Sequence, residues 1–130
     1  MNDKKKEENL LDLQIITTLV YIGSLILSIY ITYNDKMTVA NGKGFLSKKQ
    51  NQNISIFNRT LVVVLTLIYL YVSYENRKII EKKKGNINAA SLQVFASEIS
   101  LVSTIIVLYV ILKTSGEEYS IISGAGNPNL

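Results

Sequence analysis

Three stretches without a single charge, residues 13–33, 60–74 and 99–112, decide most of what this 130-residue chain can fold into. A helix rises 1.5 Å per residue, so about 20 apolar residues cross a hydrocarbon core about 30 Å thick. The first run, counted from Leu10, is long enough by itself. The second, counted from Ile54, holds Arg59 one turn inside its start, a position from which an arginine can snorkel to the headgroups. The third, counted from Ala89, holds Glu98; its charge-free part is too short to span alone, which draws Glu98 towards the membrane.

Two other architectures are weighed against this one. A β-barrel needs alternating polar and apolar residues, and the run Leu61-Val62-Val63-Val64-Leu65-Thr66-Leu67-Ile68 has no alternation and no turn residue. A soluble helical bundle needs a polar face on each helix, and the second run is apolar nearly all round. In lipid an unpaired backbone amide costs several kcal/mol, and a helix pairs its own. The expected fold is therefore all-α: a single three-helix integral membrane domain over residues 1–130, with transmembrane helices at about 10–33, 55–75 and 89–112.

The first run begins after Lys4, Lys5 and Lys6, as a signal peptide would, but a signal core is about 7–15 residues and this one is longer. It reads as a retained anchor. Around the spans lie an N-terminal segment (1–9), an outer loop (34–53), a basic loop (76–88) and a C-terminal tail (113–130), whose glycines and Pro128 suggest loose order. The outer loop, with Asn41-Gly42-Lys43-Gly44 as its turn, is expected to be mobile, and its glycines lack the spacing of a phosphate loop. Asn53-Ile54-Ser55 and Asn58-Arg59-Thr60 match the glycosylation pattern but lie too near the membrane to be read as sites.

Charge sets the orientation. With three spans, the N-terminus and second loop share a side that carries eight basic residues, against six on the other. The positive-inside rule places the N-terminus in the cytoplasm and the C-terminus outside, supported chiefly by Arg77, Lys78, Lys82, Lys83 and Lys84 behind the second span. These residues are read as topology and lipid-contacting cations. The net charge of +4 does not point to nucleic acid, because the lysines flank apolar runs and form no basic stripe. Richness in Lys, Asn, Ile and Tyr suggests an AT-rich bacterial genome and hence a bacterial cytoplasmic membrane. Tyr30, Tyr33 and Tyr109 are expected at the outer interface, with Tyr71 and Tyr74 at the inner one.

Chemistry is sparse. There is no Cys and no His, which removes disulfides, thiolate nucleophiles and the usual zinc ligands, and no nucleophile-base pair can be named. No cofactor and no enzymatic activity are expected. Thr17, Tyr21, Ser24 and Ser28 share one face of the first helix, and Gln93, Ser97, Ser100 and Thr104 share one face of the third. These stripes predict a contact between helices 1 and 3, each hydrogen bond across it contributing about 0.6 kcal/mol in lipid.

Entry of the third helix near Ala89 puts Glu98 about 13 Å deep, at the level of Thr17, Tyr21, Thr66 and Tyr69, as a candidate intramembrane polar site. Later entry leaves Glu98 near the interface with residues 91–97 among the headgroups. The expected role is an accessory or interaction subunit that docks on another membrane protein or on itself. Two alternatives stand beside it. One is a self-assembling pore, which phage holins resemble only in outline, since many end in a strongly basic tail that this chain lacks. The other is a small proton- or ion-coupled transporter built on Glu98.

Overall fold

In the computed structural model, residues 3–113 are described and form three helices: α1 (Asp3–Asn41), α2 (Lys48–Lys82) and α3 (Ile87–Lys113). All three are long and apolar enough to cross a membrane. The C-terminal tail, read from sequence as loose, lies outside the described residues apart from Lys113.

The helices overrun their apolar cores. α1 continues through residues 34–41 and α2 starts at Lys48, so residues 42–47 alone are non-helical where sequence suggests a mobile loop of twenty residues. That connection is built. Leu46 donates its backbone N–H to Asn34 Oδ1 at 3.0 Å, and the Phe45 ring lies 4.9 Å from Tyr30 and 5.9 Å from Tyr33 between centroids. Ser47 and Gln50 then close a capping box on α2: the Ser47 hydroxyl accepts from Gln50 N–H, and the Gln50 side chain accepts from Ser47 N–H.

The second connection ends α2 in a Schellman motif. Gly85 N–H donates to the Ile80 carbonyl at 2.9 Å and Lys84 N–H to the Glu81 carbonyl at 3.2 Å, satisfying two carbonyls of the last turn. The left-handed residue of the motif is Lys84, with φ of 55°, and not the glycine that follows it.

α2 is the centre of the molecule. α1 packs on it from one side and α3 from the other, while α1 and α3 scarcely touch. Burial is inverted relative to a water-soluble protein. Thr17, Ser24, Ser28, Asn58, Arg59 and Ser73 are buried, whereas Leu19, Ile26, Ile29, Leu92, Phe95 and Val102 lie outside, with Ile29 and Leu92 each 68% exposed. Apolar burial is confined to small patches such as Leu10, Val72 and Ile79.

Candidate functional site

The deepest polar group is an amide on α2. Ser24 donates to Asn58 Oδ1 at 2.7 Å, and Asn58 Nδ2 donates to Ser28 Oγ at 2.9 Å, so one side chain clamps two turns of α1. Asn58 is 0% exposed and Arg59 beside it 1%. The arginine therefore does not snorkel, as its place in the sequence suggests; it is enclosed between helices. On α1 this level lies about nine residues from Asp35, or roughly 13 Å. A cation enclosed in this way is costly unless the surrounding structure fixes it.

α2 is consequently not apolar all round. Thr66 and Thr104 share a hydrogen bond of 3.3 Å, Ser73 and Ser97 share one of 3.0 Å, and Arg77 Nε donates to Ser91 Oγ at 3.0 Å. Position 59 falls on the same heptad face as Thr66 and Ser73, the residues that meet α3. Asn58 faces α1. α2 thus carries two polar seams, one for each neighbour.

These pairings overturn the expected contact between helices 1 and 3. Both stripes are real faces, but Ser24 and Ser28 meet Asn58 on α2, and Ser97 and Thr104 meet Ser73 and Thr66 on α2. Thr17 is buried and donates back to the Leu13 carbonyl at 2.7 Å. Ser100 is exposed and its side chain makes no hydrogen bond with the described residues. Spacing along a helix identifies a face but not the neighbour it meets, which is why the middle helix was missed.

Because α1 and α3 stay apart, a groove runs between them with α2 as its floor. One cavity of about 510 Å³ is lined by Tyr21, Tyr69, Thr66, Ser100 and Ser103 among others. A second of about 480 Å³ continues it towards Glu7 and Asn76, the two sharing Tyr69, Ser73 and Gln93. From Ile79 to Val62 the floor covers about 25 Å. Tyr69 OH is held by Thr18 Oγ1 at 2.9 Å.

Of the residues predicted as an intramembrane polar site, Tyr21, Thr66 and Tyr69 line the groove, whereas Glu98 lines neither cavity. Glu98 is exposed on α3 and makes no hydrogen bond or ion pair with the described residues. Its level follows from the register. Ser73 opposite Ser97 and Thr66 opposite Thr104 put Glu98 opposite Val72, and Thr18 opposite Tyr69 puts that level near Leu13 to Ile15 on α1. Glu98 therefore lies one turn inside Glu75 and Asp12, where the charge-free runs of α1 and α2 begin, and not beside the groove's central hydroxyls.

The basic cluster is partly tied to the helix ends. Lys6 Nζ lies 2.6 Å from Glu75 Oε2 and Lys78 Nζ 3.5 Å from Glu75 Oε1, while Lys83 pairs with Glu7. Lys78 also sits 4.8 Å above the Tyr74 ring, and at the opposite end Lys113 sits 5.7 Å from the Tyr109 centroid. Lys82 occupies the last turn of α2, where a cation complements the helix dipole. Among the described residues no three His, Cys, Asp or Glu side chains gather in a metal-binding group. Comparison with protein-family models, with curated proteins and with solved structures finds no match, so function must be argued from this chain's own chemistry.

Proposed function

We propose that this chain is a three-span integral membrane protein that acts as an interaction subunit, its α1–α3 groove receiving a further transmembrane helix. The observation that carries this reading is the groove itself: α2 binds both neighbours through polar seams, and the space between those neighbours is left lined with hydroxyls. In lipid, helices associate through close backbone approach and interhelical hydrogen bonds, and small hydroxyl residues favour both. Ser100, Ser103 and Ala96 provide such a surface on α3.

The inverted burial supports lipid as the solvent, since outward Ile and Leu cost nothing there while a buried Asn58 keeps its partners. The basic cluster at the α2 end supports a cytoplasmic N-terminus. The transporter reading gains nothing from the geometry, because its acid lies outside both cavities. A pore would require the groove to hold water in an assembly.

The test is the protein mass of the particle after gentle detergent extraction, set against the 14.6 kDa protomer. An interaction subunit elutes as a larger, defined assembly, and Ser100→Leu with Ser103→Leu, which fill the groove, reduces that assembly. A filled-groove variant that assembles unchanged contradicts the reading. Release of a trapped dye from vesicles by the purified chain favours the pore.

A further inference from the structure

We propose that the helix received by the groove is α3 of a second copy of this chain, entering by the flank that carries Glu98. The inference rests on the groove being a helix-receiving seam and adds the identity of its occupant.

The two flanks of α3 are complementary. Taking Ser97 as the direction of α2 and 3.6 residues per turn, Glu98 lies about 100° around the helix one way, while Ser100 lies about 60° and Ser103 about 120° the other way. One flank carries an exposed carboxylate that bonds to none of the described residues. The other, forming the groove wall, carries Gln93, Ser100 and Ser103, all exposed, whose side chains make no hydrogen bond with the described residues. Carboxyl oxygens accept hydrogen bonds, whereas an amide NH₂ and hydroxyls donate them. Shape agrees with this. Phe95 and Val102, one turn either side of Glu98, are large and outward, and Ala96, Ser100 and Ser103 on the receiving wall are small.

Height is matched by symmetry. Copies inserted in the same sense and related by an axis along the bilayer normal keep each residue at one depth. Glu98 of one copy therefore arrives at the level of Gln93 to Ser103 of the next. A contact between different surfaces is head-to-tail, so it closes into a ring or extends into a chain. A two-fold α3 to α3 pairing would instead set two Glu98 side chains against each other and leave the Ser100 and Ser103 wall unused.

The chain contains no cysteine, so introduced thiols report single sites. Val102→Cys marks the Glu98 flank and Ser100→Cys the groove wall, with Glu98 kept in place. In oxidised membranes each variant alone remains a monomer on a denaturing gel, while the two co-expressed give a crosslinked dimer. Adding Glu98→Ala to both lowers the crosslinked fraction at least about fivefold. Val102→Cys crosslinking to itself, or a mixture that stays monomeric although both variants resist carbonate extraction, overturns the inference and leaves the three-span reading intact. Extraction of the chain by carbonate would sink the three-span reading itself.

Discussion

Ser24 on α1 donates its hydroxyl proton to the fully buried Asn58 of α2 at 2.7 Å, and that contact sets the height at which the first two helices meet. Asn58→Ala removes this bond and the one to Ser28, and leaves space where a side chain was enclosed. Two bonds at about 0.6 kcal/mol each plus the cavity predict a loss of about 2–3 kcal/mol. Reversible unfolding in mixed micelles measures it; Asn58→Ala at wild-type stability contradicts the clamp.

Arg59 is the largest of the fully buried side chains. Truncation to Ala opens a large cavity and is expected to cost about 2–5 kcal/mol by the same measurement. A snorkelling arginine would tolerate Ala with less than about 1 kcal/mol lost.

Lys84 holds a left-handed backbone that glycine adopts freely. Lys84→Gly is expected to stabilise the chain by about 1 kcal/mol. Thermal shift in detergent measures it, and a lower midpoint for Lys84→Gly argues against the motif.

At the other end Gly44 lies against Asn34, and a Cβ on Gly44 would overlap both the Asn34 side chain and its carbonyl. Gly44→Ala should break the bond from Leu46 N–H to Asn34 and open the 42–47 connection. Hydrogen exchange at the Leu46 amide reads this directly: protection in the parent chain, lost in the variant. Equal exchange in both would mean that the connection is not held by Asn34.

The spans were legible because charge-free length is a one-dimensional property. Residues 13–33 and 60–74 need no neighbour to be recognised. Arg59 departs from its expectation because a position near the start of a run, taken alone, suits a snorkelling side chain; enclosure between packed helices is not written locally. A signal was nonetheless present, since Arg59, Thr66 and Ser73 recur every seven residues on the helix read as featureless. In the sequence Asn58 stands out only as part of a glycosylation pattern, although it is the residue that pairs the Ser24 and Ser28 stripe. The level of Glu98 relative to the other helices comes from the register of Ser73 with Ser97 and Thr66 with Thr104, which no count along one helix supplies.

An ion pair at the helix ends should matter little by contrast. Glu75 meets Lys6 and Lys78 at the end of α2; its own side chain is only 13% exposed, but the lysines are 40% and 49% exposed, so the pair is still screened from its cationic side. Glu75→Gln is expected to change stability by less than about 1 kcal/mol. A larger loss would show that the lysines do not screen this carboxylate.

Alkaline carbonate extraction of membranes from cells expressing the chain tests the central claim, that helices with isoleucine and leucine outside and asparagine and arginine inside are solvated by lipid. The account predicts that the chain stays with the membrane pellet and is released only by detergent. Recovery of a folded, monodisperse chain in the detergent-free supernatant would contradict it.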